Sequence, residues 1–130
     1  MKTQAIIPAA GSGVRFGSKQ PKPLVRLKGK PMIAYSLEIL LNCKSVDSVI
    51  LVVGDGFESE FEKVTKTLKT AKKIRIVKGG ATRCESVASG LKALDKDTDI
   101  VLIHDGARPL ISEKLIEEAI RCEQIKTTAA

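Results

Sequence analysis

The chain has 130 residues, 43% of them hydrophobic and 28% charged, a composition that predicts one globular domain spanning residues 1–130 and excludes a disordered chain. The net charge of +7 favours an anionic partner, but the basic residues that crowd between Lys63 and Lys78 are typical of a solvent-exposed face. The three phenylalanines and single tyrosine are not interleaved with a basic patch, so nucleic acid is not the expected partner.

The chain begins with one short apolar run that is soon followed by glycines. We therefore predict neither a signal peptide nor a membrane span in these residues. The three cysteines, Cys43, Cys84 and Cys122, lack any metal-ligand spacing and are expected to be reduced and unpaired. Together these features predict a cytoplasmic protein with no membrane partner.

In chain order, short apolar runs predict strands at Ala5–Ile7, Ser48–Val53, Ile74–Val77 and Ile100–Ile103. Helical spacing of apolar residues follows each of the first three runs. The apolar positions are Ile33, Leu37, Leu40 and Leu41 in the first helix, Phe57, Phe61, Val64 and Leu68 in the second, and Val87, Leu91 and Leu94 in the third.

Thr82 and Glu85 have the spacing of a capping box at the start of the third helix, and a fourth helix is expected after Ser112. Strands that are apolar throughout are expected to be buried on both faces of a mainly parallel sheet flanked by helices. The pattern therefore predicts a Rossmann-like α/β fold, whose ligands bind beyond the carboxyl ends of the strands.

After the first strand comes a glycine-rich loop, residues 8–17, whose backbone N–H groups would approach phosphate oxygens. Phe16 replaces the third glycine of the dinucleotide fingerprint, and Ser18 interrupts a P-loop, so neither motif applies. Arg15 and Lys22 place two cations within reach of one triphosphate. A purely structural turn and two solvated charges remain the alternatives.

Two further strand ends carry candidate site residues. Gly79–Ser86 runs from a strand through a flexible loop into a capped helix, whose first N–H groups are free to bind a ligand. Asp105 follows the last predicted strand, where a carboxylate needs solvent or a cation such as Mg²⁺. His104, the only histidine, is expected to be a packed core residue and is not assigned to catalysis.

Residues 8–17 with Pro21-Lys22, the GGATRCES segment at 79–86 and the HDGARP segment at 104–109 together resemble the 2-C-methyl-D-erythritol 4-phosphate cytidylyltransferase family. The resemblance covers the whole chain and implies the family's nucleotidyltransferase fold. It also implies the transfer of a cytidylyl group from CTP to 2-C-methyl-D-erythritol 4-phosphate in non-mevalonate isoprenoid biosynthesis, with Mg²⁺ as cofactor and pyrophosphate as second product.

The resemblance also assigns roles to individual residues. Arg15 and Lys22 match the two cations that stabilise the α-phosphate during attack, and Asp105 matches the metal position, with Arg108 supporting its loop. The positions that match the family's nucleotide contacts are Ala9, Ala10, Gly11, Ser12, Gly13, Gly80, Ala81, Arg83 and Ser86. No general base is needed, because a phosphate monoester with a second pKa of about 6 is already largely dianionic.

The sequence departs from the family at Pro23, where glutamine is more common, and at Ala81, which lacks a polar side chain. Family members are also longer, and their remaining part supplies closing strands, further substrate contacts and a dimerisation arm. The resemblance thus implies a homodimer for a full-length protein and poor turnover for these 130 residues alone.

Three alternatives stay open at this point. A ribitol-5-phosphate cytidylyltransferase shares the same three motifs, and a nucleotidyltransferase for another base or sugar is a more distant possibility. A non-catalytic nucleotide-binding module is the alternative from a different class.

Overall fold

A computed structural model describes residues 2–10 and 22–104, with the backbone alone for Lys22. A short 3-10 helix, Lys22–Leu24, precedes the first α-helix. The strands are β1 (Thr3–Ala9), β2 (Arg26–Leu27), β3 (Lys30–Pro31), β4 (Ser48–Val53), β5 (Lys73–Lys78) and β6 (Ile100–Ile103). The helices are α1 (Met32–Asn42), α2 (Glu58–Lys66) and α3 (Arg83–Lys92).

Four strands form one parallel sheet in the order β5-β4-β1-β6. The registers pair Ile6 with both Ile50 and Ile103, so β1 lies in the middle of the described sheet. The predicted strand positions, the parallel sheet and the flanking helices are confirmed, as is the fold class. The predicted fourth helix, after Ser112, lies outside the described residues.

Alternation along the strands divides the core into two clusters. Ala5, Ile7 and Ala9 of β1 pack on one face with α1 and with Phe61 of α2, whereas Ile6 packs on the other face near α3. This period of two is the expected geometry of a strand covered on both faces. Burying one large aliphatic side chain in such a core contributes about 1.5–3 kcal/mol.

The expectation of burial on both faces is wrong for β5. This strand lies at the edge of the described sheet, and Lys73, Arg75 and Lys78 on it are exposed. Its apolar residues, including Ile74 and Ile76, are only partly buried. An edge strand is covered by fewer neighbours, and exposed basic side chains also discourage pairing with another chain.

Helix α3 also differs from its predicted apolar face. Leu91 is 46% exposed, and the buried residues of the helix are Ser86 and Gly90. A Cβ at Gly90 would lie 2.6 Å from Ile6 Cγ2, so the helix backbone packs almost directly on the sheet. The small residues rather than Leu91 therefore form the contact, because they permit the closest approach.

Helix α2 is shorter than predicted at both ends, because Phe57 is its N-cap and Leu68 lies beyond its last residue. The β2–β3 hairpin was not predicted at all. Lys28 and Gly29 at its turn both have positive φ, at 55° and 80°. Glycine adopts this conformation readily but lysine does so rarely, so the lysine at position 28 gave no signal of a turn in the sequence.

Candidate functional site

The carboxyl ends of β1, β4, β5 and β6 meet at one edge of the sheet because all four strands are parallel. Ala9 ends β1 and is paired with Val53, which ends β4, and Val53 is paired in turn with Lys78 of β5. The segments that follow these ends carry the predicted contacts Ala10, Gly80 and Ala81. The described part of the candidate site therefore lies at this carboxyl edge.

Close packing at Gly79 brings three separate segments together at that edge. A Cβ on Gly79 would lie 2.5 Å from Ser86 Oγ, 2.8 Å from Ala10 Cβ and 2.8 Å from Val52 Cγ1. The Gly79 N–H donates to Val53 O over 2.8 Å and extends the sheet by one bond. Any larger residue would push the Ala10 segment away from α3, so the geometry requires glycine.

Sequence reasoning quoted Gly79 only as part of a motif and gave Gly54 no role. A Cβ on Gly54 would lie 3.3 Å from Ala10 O, so this residue also closes on the segment after β1. The available signal was a glycine directly after two of the strands, at residues 54 and 79. Such a glycine can mark a close backbone approach as well as a turn.

The loop between β5 and α3 is fixed by the start of the helix. The Thr82 side chain accepts a hydrogen bond of 3.1 Å from Glu85 N, as the capping-box prediction required. The Glu85 carboxylate, however, accepts a 2.8 Å bond from Ala81 N, one residue before the N-cap. Arg83, a further predicted contact, is the first residue of α3 and is exposed.

His104 lies just past β6 and is fully buried, as expected for a packed core histidine. Its backbone N–H donates to Ile6 O over 3.0 Å, and its Nε2 lies 2.9 Å from Ser36 Oγ. This contact links the carboxyl end of β6 to α1. A histidine held in this way serves the packing of the edge.

Several predicted site residues lie outside the described part of the chain. These are Gly11, Ser12, Gly13, Arg15 and Asp105, together with the side chain of Lys22. Within residues 2–10 and 22–104, no group of three or more His, Cys, Asp or Glu side chains could hold a metal ion. The assignment of Mg²⁺ to Asp105 therefore remains a prediction.

The groups with shifted pKa values lie at the opposite, amino end of the sheet. Hydrogen bonds to Asp95 and Asp97, over 2.6 and 3.0 Å, raise the pKa of Lys2, and the bond to Lys2 lowers the pKa of Asp95. An open cavity of about 240 Å³ lies beside them and is lined in part by Gln4 and Arg75. Its walls mix both signs of charge, so it does not suit a triphosphate.

Cys43 is buried and Cys84 is exposed, and neither forms a disulfide with another described residue, while Cys122 lies outside the described part of the chain. In the part of the chain that the structure covers, no helix is long and apolar enough to cross a membrane.

The basic side chains of Lys63, Lys66 and Lys69 are exposed, as predicted for a solvated face.

Residues 3–130 match the family model of IspD, 2-C-methyl-D-erythritol 4-phosphate cytidylyltransferase. The chain belongs to this family. The IspD match confirms the resemblance inferred from the three motifs, and it extends over the glycine-rich loop and the HDGARP segment.

Named relatives agree with the IspD assignment. The chain is 44% identical over 121 residues to 2-C-methyl-D-erythritol 4-phosphate cytidylyltransferase of Alkaliphilus oremlandii, covering 92% of the chain and 51% of the relative. It is 42% identical over 130 residues to the protein of the same name in Clostridium novyi, covering 99% of the chain and 56% of the relative. The chain thus spans about half the length of the curated relatives it matches.

Among solved structures, the chain is similar to 4-diphosphocytidyl-2C-methyl-D-erythritol synthase from Anaerococcus prevotii. The TM-score is 0.79 and the identity 35%, with 92% of this chain and 49% of that chain covered. The similarity covers the sheet and helices described above and confirms the nucleotidyltransferase fold.

Proposed function

We propose that this chain supplies the nucleotide-binding part of an enzyme that transfers the cytidylyl group of CTP to 2-C-methyl-D-erythritol 4-phosphate. The observation that carries the proposal is the family match over residues 3–130. The relatives' names favour methylerythritol phosphate over ribitol 5-phosphate as acceptor. We propose further that the full-length protein is a cytoplasmic homodimer.

The carboxyl edge supports nucleotide binding because its residues are small. Ala10, Gly79 and Gly80 bear no polar side chain, so a ligand there would meet mainly backbone N–H and C=O groups. Backbone groups on a rigid sheet edge are preorganised, which reduces the entropy lost on binding. Ser86 adds one hydroxyl, at the residue where α3 packs most closely against Gly79.

In the proposed reaction an oxygen of the acceptor phosphate attacks the α-phosphorus of CTP, and the bond to the β-phosphate oxygen breaks as pyrophosphate leaves. Arg15 and Lys22 are proposed to stabilise the negative charge that grows on the α-phosphate. Bound Mg²⁺, which we propose at Asp105, would neutralise phosphate charge. The acceptor needs no general base because it is already largely dianionic near neutral pH.

The first test is isothermal titration of the 130-residue chain with CTP, UTP, GTP and ATP in the presence of Mg²⁺. We expect CTP to bind most tightly. The second is a ³¹P NMR assay of a protein of the relatives' full length that carries this chain, with methylerythritol phosphate and ribitol 5-phosphate in competition. Preferential use of ribitol 5-phosphate, or tighter binding of UTP or GTP than of CTP, would contradict the proposal.

A further inference from the structure

One residue of α3, Glu85, contacts one side of the Gly79–Ala81 loop, at Gly80 and Ala81. Glu85 Oε2 accepts a 2.8 Å hydrogen bond from Ala81 N, and Glu85 N donates a 3.1 Å bond to Thr82 Oγ1. A Cβ on Gly80 would clash with both Oε2 and Cβ of Glu85. The Glu85 side chain therefore lies directly against the Gly80 backbone.

The other side of the loop is fixed as firmly. Gly79 is wedged against Ala10, Val52 and Ser86, and its N–H is bonded to Val53 O. The loop is thus held between the sheet and the Glu85 carboxylate, and its backbone groups have defined positions. Removing Glu85 would free one side only.

The position of Glu85 also indicates which part of a nucleotide suits this loop. A carboxylate beside Gly80 repels phosphoryl groups, and the Ala81 N–H is already bonded to it. The loop is therefore better suited to the uncharged base, whereas the triphosphate suits the cationic segment that contains Arg15 and Lys22.

At Gly79, Gly80 and Ala81, any base discrimination must come from the backbone, because these residues have no polar side chain. The Ala81 N–H is bonded to Glu85 and so is taken up within the protein, whereas a backbone carbonyl oxygen could accept from a base edge. Carbonyls accept hydrogen bonds from the 4-amino group of cytosine and repel the 4-oxo group of uracil. A released Ala81 N–H would instead donate to the uracil oxygen.

We propose that Glu85 is a positioning residue that enforces cytosine selection, by occupying the Ala81 N–H and holding the Gly80 backbone against α3. This inference rests on the proposed function, since it assumes that the loop receives the base of CTP. Glu85 itself is not proposed to touch the nucleotide.

The test compares the affinities for CTP and UTP, measured by isothermal titration, in the 130-residue chain and its variants. For Glu85→Ala we expect the preference for CTP over UTP to fall about tenfold, the effect of one altered hydrogen bond to a base edge. Glu85→Gln should retain the preference, because its amide oxygen still accepts from Ala81 N. Glu85→Met keeps the side-chain stem without the acceptor and provides the same test if alanine destabilises α3.

Glu58→Ala is the matched control. Glu58 Oε1 accepts a 2.8 Å bond from Gly56 N, a contact of the same kind in the loop between β4 and α2, which carries none of the predicted nucleotide contacts. This variant should keep the wild-type ratio of CTP to UTP affinity. Amide hydrogen exchange at Ala81, read by ¹⁵N NMR, should accelerate in Glu85→Ala and stay slow in Glu58→Ala.

The outcomes separate the inference from the proposed function. Wild-type protein that does not prefer CTP would contradict the proposed function and remove the basis for the inference. Wild-type protein that prefers CTP, with folded Glu85→Ala and Glu85→Met variants showing the same preference, would overturn the role of Glu85 alone. A loss of preference in Glu58→Ala equal to that in Glu85→Ala would also overturn it.

Discussion

The two ends of β1 are surrounded by different kinds of contact. At the amino end, polar side chains bond to one another: Gln4 Nε2 donates to Ser48 Oγ over 2.8 Å, and Lys2 pairs with Asp95 and Asp97. At the carboxyl end, glycine and alanine pack against a buried serine, Ser86.

If the proposed nucleotide site lies at the carboxyl edge, this difference separates stability from binding along the same strands. At the amino end, side-chain hydrogen bonds satisfy polar groups within the protein. At the carboxyl end, the small residues leave backbone groups accessible to a ligand. Each prediction below perturbs one end and asks whether the other end responds.

The largest effect is expected from Arg15 and Lys22, the two cations that we propose for catalysis. Arg15→Ala or Lys22→Ala in a protein of the relatives' full length should lower kcat by about 10²–10³-fold, the usual effect of removing one stabiliser of developing charge. Steady-state assays of pyrophosphate release would measure it. CTP binding with unchanged turnover would exclude a catalytic role for these residues.

Gly79→Ala tests the packing of the carboxyl edge. The added methyl group would lie 2.5 Å from Ser86 Oγ, so we expect a loss of about 1–3 kcal/mol in the free energy of unfolding, as for other overpacked sites. We also expect weaker CTP binding, because the Ala10 segment must move. Urea denaturation and isothermal titration measure the two effects.

A double variant checks the cause of that loss. Ser86→Ala removes the nearest clashing atom, so it should restore part of the stability of Gly79→Ala. Additive losses in the double variant would show that the clash with Ser86 is not responsible.

Gln4→Ala tests the amino end with a smaller effect. Gln4 is 4% exposed, donates to Ser48 Oγ, and accepts from Asp95 N and from Thr98 Oγ1. Its removal should cost about 1.5 kcal/mol of unfolding free energy, because three part-buried hydrogen bonds are lost and each contributes at least about 0.5 kcal/mol net. CTP affinity should not change, and a tenfold loss of affinity would contradict the separation of the two ends.

The smallest effect is the pH dependence of the ion pairs at Lys2. The folded-state pKa of Asp95 is lowered below its ordinary value of 3.8, chiefly by its hydrogen bond to Lys2. Its contribution to stability is therefore complete above pH 3.8 and is lost as the pH falls through the folded-state pKa. Asp95→Asn should lose less stability than the wild type in unfolding experiments between pH 5 and about pH 2.

The raised pKa of Lys2 gives the opposite dependence. Its contribution is complete below the ordinary value of 10.5 and is lost as the pH rises through the folded-state pKa. A free energy of unfolding that changes in neither acid nor alkali would contradict the importance of these ion pairs.

Local patterns were sufficient to predict most of the fold. The apolar runs at Ser48–Val53 and Ile100–Ile103 coincide with β4 and β6, and the Thr82–Glu85 spacing located the start of α3. These features depend on neighbours within a few residues, which the sequence displays directly.

The rest depends on contacts that the sequence does not display. The exposure of Leu91 follows from the close seating of Gly90 on Ile6, residues 84 positions apart (90 − 6 = 84). The Glu85 bond to Ala81 competes with the usual capping-box bond, and its choice depends on the loop conformation. At the site, resemblance identified Ala10, Gly80 and Ser86, but only the fold reveals that Gly79 joins them.

The most direct test of the account is a ¹⁵N NMR titration of the 130-residue chain with CTP. We expect the largest amide shift changes at Ala10, Gly79, Gly80 and Ser86, with Gln4, Ser48 and Asp95 nearly unchanged. Shift changes concentrated at the amino end of the sheet, or equal at both ends, would contradict a nucleotide site at the carboxyl edge.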